Sequence, residues 1–269
     1  MSGGPHSGTP THTDRPVARA LRIRGLTKRF GPTVAVDGID LDVPRGSFYG
    51  LVGPNGAGKT TTLSMATGLL RPDAGTVEVL GLDVWADPTA AKARIGVLPD
   101  GLRLFDRLTG LQLVTYAGLL RGMARAEVVD RAGELLAALG LSEAADKLVV
   151  DYSAGMTKKV TLACALVHGP RVLVLDEPFE AVDPVSAKTI RGILGRYVEG
   201  GGTVVLSSHV MDLVERICTD VAIIAGGTVR AAGPLEEVRA GLSLEDRFLD
   251  LVGGSTHVEG LAWLHTSSD

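Results

Sequence analysis

The chain has 269 residues, a net charge of −4, and is 22% charged and 45% hydrophobic, which is ample for one large α/β domain or two small ones. Its 27 Lys and Arg are outnumbered by 31 Asp and Glu and are scattered along the chain, so nucleic acid is not expected as a partner. The longest apolar runs, Val172–Leu175 and Val221–Ala225, fall far short of the roughly 20 residues that cross a bilayer, so the chain is not expected to span one.

Residues 1–20 are rich in Gly, Pro, Ser, Thr and His without an apolar core, and read as a disordered N-terminal tail, not a signal peptide. From Leu21 to Val43 strands are expected, because Ile39, Leu41 and Val43 alternate with Asp40 and Asp42. The apolar run Phe48-Tyr49-Gly50-Leu51-Val52 then feeds directly into Gly53-Pro54-Asn55-Gly56-Ala57-Gly58-Lys59-Thr60. A strand, a glycine-rich turn and a helix opening near Lys59 would bring successive N–H groups and the helix's positive end onto one anionic point. In such a phosphate cradle Lys59 reaches the β- and γ-phosphates, the Thr60 hydroxyl ligates Mg²⁺ and Thr61 lies near the α-phosphate.

Beyond the cradle, Arg71-Pro72-Asp73-Ala74-Gly75 reads as a turn before a short strand Thr76–Leu80, and Arg94–Leu98 as another strand. From Thr109 to Gly140 the spacing becomes helical, with Leu111, Val114, Leu119, Leu120, Val128, Leu135, Leu136 and Leu139 on recurring positions. This predicts a helical subdomain of about residues 101–150 inside an α/β chain. A helix after Ser153, a strand at Val172–Leu175, a helix from Val185, a strand at Thr203–Leu206, a helix at Val210–Cys218 and a strand at Val221–Ile224 follow. The C-terminal extension, residues 236–269, carries a helical stretch around Glu245–Leu251, with Trp263 read as a packing or dimer residue. Cys164 and Cys218 sit in apolar contexts and are expected to be buried, reduced thiols without chemistry.

The strand Val172-Leu173-Val174-Leu175 ends in Asp176-Glu177-Pro178, as a central parallel strand does where its carboxyl end faces a ligand crevice. Beside a phosphate cradle, Asp176 is expected to bind Mg²⁺ and Glu177 to orient and polarise the water that attacks the γ-phosphorus. These two motifs together describe a nucleoside triphosphate hydrolase.

Over roughly Leu21 to Gly233 the sequence resembles the ATP-binding cassette family, with further motifs in that family's order. The resemblance implies an α/β P-loop NTPase fold with a RecA-like core, an antiparallel β layer and an α-helical subdomain, over residues 21–235. It implies that Phe30 stacks on adenine, and that Tyr152-Ser153-Ala154-Gly155-Met156 stands for the family's Leu-Ser-Gly-Gly-Gln signature at a helix start. Ser153 and the Gly155 N–H would then approach the γ-phosphate held by a second subunit. Asp183 matches the loop that links the two sites of a dimer, and His209 the histidine that contacts the γ-phosphate and holds Glu177 in place. Two departures stand out. Asp100 replaces the family's Gln after Pro99, a shorter side chain that can ligate Mg²⁺ but adds negative charge near ATP. In the signature Ala154 replaces Gly and Met156 replaces Gln, adding a Cβ and removing a donor.

The resemblance thus implies an Mg-ATP hydrolase that powers a transporter, with the spanning part a separate permease, the ATP-binding subunits paired as a homodimer or a heterodimer, and membrane contact through the permease only. This places the chain peripherally on the cytoplasmic face of the cell membrane. The short C-terminal extension and Ser243-Leu244-Glu245-Asp246 look like drug and antibiotic exporter ATPases. The alternatives are a soluble, non-transport ABC ATPase and a low-turnover, nucleotide-gated regulatory subunit.

Overall fold

A computed structural model describes residues 18–101 and 103–253. In chain order the elements are β1 (Arg19–Phe30), β2 (Thr33–Pro44), β3 (Phe48–Val52), α1 (Lys59–Ala66), β4 (Ala74–Val79), β5 (Leu82–Asp83), α2 (Pro88–Lys92), β6 (Ile95–Leu98), α3 (Gly110–Leu120), α4 (Arg125–Ala138), α5 (Ala154–Leu166), β7 (Val172–Leu175), α6 (Pro184–Glu199), β8 (Thr203–Ser208), α7 (Met211–Ile217), β9 (Asp220–Ala225), β10 (Thr228–Pro234), α8 (Leu235–Arg239) and α9 (Leu244–Val252). The strands expected from the sequence are present, some with shifted ends. β1 begins inside the stretch read as tail, because Ala20 is buried and Arg19 pairs with Asp42 at 2.8 Å. β10, α2 and α8 carry no strong periodicity and were not expected. Trp263 lies outside the described residues.

Two sheets form. One is antiparallel, in the order β2-β1-β4-β5; the other has the order β10-β9-β3-β8-β7-β6 and is parallel from β9 to β6. Strand alternation then splits the core in two. Tyr49, Leu51, Val172, Val174 and Val205 point toward the antiparallel sheet and α1, which supplies Leu63 and Met65. Phe48, Val52, Leu173, Leu175, Val204 and Leu206 point the other way, under α3, α4, α5 and α6. A run of aliphatics buried on both faces is what a central parallel strand requires. Cys218 is buried and Cys164 half-buried, both free; burial pushes the Cys164 thiol up to about 12 and raises that of Cys218 as well.

The register places the carboxyl ends of the five parallel strands, β9, β3, β8, β7 and β6, on one edge. Val52 pairs with Ser208 across β3 and β8, Leu175 with Leu206 across β7 and β8, and Leu98 with Leu175 across β6 and β7. The loops that leave these strands therefore meet, bringing together residues 53–60, Asp100, Asp176-Glu177 and His209.

Candidate functional site

The turn between β3 and α1 is held by close backbone approaches. Gly58 caps α1 at φ +103, and a Cβ there would stand 2.5 Å from the carbonyl oxygen of Ala35; only glycine lets the loop run beneath β2. No side chain caps α1, so its first-turn N–H groups and positive dipole end are open to an anion. The Lys59 ammonium is buried and curls back over the turn, donating to the carbonyls of Gly53 at 2.7 Å and Pro54 at 3.3 Å.

A cavity of about 440 Å³ opens above this turn. Phe30, Asn55, Gly56, Ala57, Gly58, Lys59, Thr60, Thr61, Asp100, Glu177 and His209 line it, as do Ala35 and Glu180, which the sequence did not single out. Phe30 is 51% exposed, so its ring is a wall of this cavity and not core. Gly53 and Pro54 lie just outside and border a neighbouring groove, of about 470 Å³, between His209 and α9.

Glu177 is the hub. Its Oε1 lies 3.7 Å from Lys59 Nζ and its Oε2 3.1 Å from His209 Nδ1. An ionised carboxylate only accepts, so the imidazole Nδ1–H donates and Nε2 is left for another partner. The Glu177 backbone sits at φ +44, a left-handed conformation that surroundings must enforce in a non-glycine residue. Ser207, fully buried at the end of β8, does part of that: its hydroxyl accepts from the Glu177 N–H at 2.9 Å and donates to the buried carboxylate of Asp176. The sequence signal for Ser207 was a hydroxyl closing the aliphatic strand Thr203–Leu206. Asp100, 45% exposed in its side chain, faces the ammonium of Lys158 at 3.4 Å, another residue missed by sequence reasoning.

Besides Gly53 and Pro54, four expected residues do not line this cavity: Asp176, which borders a separate small pocket with Leu63 and Ser64, and Ser153, Asp183 and Gly155. Ser153 is exposed and caps α5, accepting from the Met156 N–H at 3.3 Å. Asp183 caps α6, accepting from the Val185 and Ser186 N–H groups at 3.0 and 2.9 Å, and the hydrogen bonds from Ser186 hold its carboxyl below the usual carboxylate range. Gly155 is buried against that cap: a Cβ would stand 2.8 Å from Asp183 Oδ2 and 3.0 Å from Ser186 Oγ. Each motif thus also has a structural task, and Ser153 and Asp183 are exposed without lining their own chain's cavity.

The donors suit a hard divalent cation shared with a polyphosphate. Thr60 and Asp100 are exposed and line the cavity, and Asp176 is a buried carboxylate that does not line it but precedes Glu177, which does. Among the described residues no group of three or more His, Cys, Asp or Glu could hold a metal by itself, and Mg²⁺ is characteristically bound by one or two carboxylates completed by phosphate oxygens and water.

The family of this description, ABC transporter, matches residues 36–180, more than half of the chain. The daunorubicin/doxorubicin resistance ATP-binding protein DrrA of Streptomyces peucetius is 39% identical over 224 residues, covering 83% of this chain and 68% of that protein. The linearmycin resistance ATP-binding protein LnrL of Bacillus subtilis is 35% identical, covering 79% and 68%; the Nod factor export ATP-binding protein I of Ralstonia nicotianae is 37% identical, covering 81% and 68%. Among solved structures, an ATP binding subunit of an ABC transporter superposes with a TM-score of 0.80 at 27% identity over 87% of this chain and 99% of that one. The chain belongs to the ABC transporter family and is an ATP-binding ATPase subunit.

Proposed function

We propose that this chain is the motor of an exporter of drugs, antibiotics or other hydrophobic compounds, working through a separate membrane-spanning permease on the cytoplasmic face of the membrane. The names of its resistance and export relatives support that reading, as does the absence, among the described residues, of any helix long and apolar enough to cross a membrane. The helical subdomain offers the permease an apolar surface in Phe105, Tyr116, Leu119 and Leu120, all exposed.

Two ATP-binding subunits close around nucleotide, each offering its cradle to one ATP and Ser153 and the Gly155 N–H to the other. The exposure of Ser153, outside its own cavity, supports an action across a dimer. Phe30 stacks on adenine, Thr61 contacts the α-phosphate, and Lys59 leaves the carbonyls of Gly53 and Pro54 for the β- and γ-phosphates. Asp183 links the paired sites. Glu177 orients and polarises the attacking water while His209 fixes its carboxylate and turns its remaining ring nitrogen to the γ-phosphate. Thr60, Asp176 and Asp100 would hold Mg²⁺, which when bound offsets phosphate charge.

The observation that carries the reading is the placement of Glu177 on the cavity wall between Lys59 and His209. Phosphate release by the purified chain tests it. Glu177→Gln should slow turnover about 10²- to 10⁴-fold while ATP still binds; unchanged release would remove Glu177 from the reaction.

A further inference from the structure

The Lys158 side chain, on the first turns of α5, reaches two partners on different elements. Its ammonium donates to the main-chain carbonyl of Glu177 at 2.9 Å and lies 3.4 Å from Asp100 Oδ1. The side chain is only 18% exposed, so solvent screens these contacts incompletely. Glu177 is the residue whose left-handed backbone must be enforced, and it is gripped on both sides, by Ser207 at its N–H and by Lys158 at its carbonyl. Rotation of either peptide would swing the carboxylate away from Lys59 and His209.

The second contact concerns charge. A carboxylate at Asp100 joins Glu177 and Glu180 on a cavity that takes a polyphosphate, and like charges in a partly desolvated space repel strongly. Lys158 is the cation next to Asp100, and it stands five residues after Ser153, on the helix that carries the signature. One ammonium therefore joins the loop after β6, the end of β7 and the start of α5.

We propose that Lys158 is a positioning residue for ATP hydrolysis, which fixes the main chain of Glu177 and forms with Asp100 a charge-balanced unit. The proposal rests on the reading of Glu177 as the group that orients the attacking water.

Steady-state ATPase measurements on the full chain test it, with thermal unfolding as the control for folding. Lys158→Met should lower kcat about 10- to 100-fold, the scale set by misplacing a reacting group by about 1 Å, with KM for Mg-ATP moving far less. Lys158→Arg, which can still donate to both partners, should recover most of the loss. Lys158→Gln, which keeps a donor for the Glu177 carbonyl without charge, should fall between them and serves where Lys158→Met does not fold. Unchanged kcat in folded Lys158→Met and Lys158→Gln, or parallel rises in KM with kcat intact, would overturn the proposal. Measured alongside, Glu177→Gln separates the two levels: if it is inactive while the Lys158 variants are normal, only the role of Lys158 falls, and if it is active, the reading of Glu177 falls first.

Discussion

Ser207 donates its hydroxyl to the carboxylate of Asp176, both side chains being buried where β7 and β8 end side by side. The same oxygen accepts from the Glu177 N–H, so one small side chain sets the two acids relative to each other. Ser207→Ala leaves a buried carboxylate and a main-chain donor each short of a partner. Such orphaned groups cost about 1–3 kcal/mol apiece. A loss of stability of about 2–6 kcal/mol for the two groups together is expected in a urea titration, along with lower turnover. Full activity at unchanged stability would mean that water or a neighbour replaces the hydroxyl.

Gly58→Ala tests the cradle's geometry. Its φ of +103 lies outside what an L side chain adopts readily, and the new methyl carbon would meet the Ala35 carbonyl oxygen at 2.5 Å. Because that contact is to backbone, no side chain can rotate away. Strain of about 1–3 kcal/mol is the usual scale for such a position, and relief requires the loop or β2 to shift. Equilibrium ATP binding should weaken by at least about tenfold, the equivalent of 1.4 kcal/mol, whereas Gly133→Ala in α4, with open space around its Cβ position, should leave binding intact.

Much of this arrangement was legible in the sequence because its carriers are local. The cradle is contiguous, the strand Val172–Leu175 is a pure aliphatic run, and the helical periodicity of residues 109–140 reappears as α3 and α4. What escaped depends on contacts across the chain. Ser207 meets Asp176 over a separation of 31 residues, and Lys158 meets Asp100 over 58, so no local pattern shows either contact. Asp100 did stand out as added negative charge near ATP, yet only the packing of α5 against β6 shows that Lys158 faces it. Likewise the edge strand β10 mixes small and polar residues, and its pairing to β9, not its pattern, makes it a strand.

His168 gives the fold a pH dependence. Its ring is largely buried, with Nε2 3.1 Å from the Ile95 carbonyl oxygen and Nδ1 without a partner. Burial lowers its pKa below the ordinary 6.5, nearby Arg121 lowers it further, and the bond to Ile95 opposes them. A depressed value means that the unfolded chain takes up this proton before the folded one does. The contribution of neutral His168 is therefore complete above about 6.5 and is lost as the pH falls through the lower folded value. His168→Gln keeps a donor for Ile95 but cannot titrate, so its unfolding midpoint should decline less than the parent's between pH 7 and 5. Parallel declines would place the acid sensitivity elsewhere.

Phe30 offers the sharpest test of where the base of the nucleotide sits. Its ring is half exposed on the cavity wall, with the Lys28 ammonium 5.7 Å from the ring centroid. It contributes nothing to either core cluster, so truncation should leave stability nearly unchanged. Stacking of a base on an aromatic side chain is worth about 1–3 kcal/mol, so Phe30→Ala should weaken ATP binding about 5- to 150-fold, and Phe30→Tyr should restore it because the π-face is kept. Inorganic triphosphate supplies the anion without the base, and its binding should be indifferent to both substitutions, since the first turn of α1 and Lys59 remain in place. Equal losses for ATP and triphosphate would show that Phe30 shapes the cradle instead of meeting adenine.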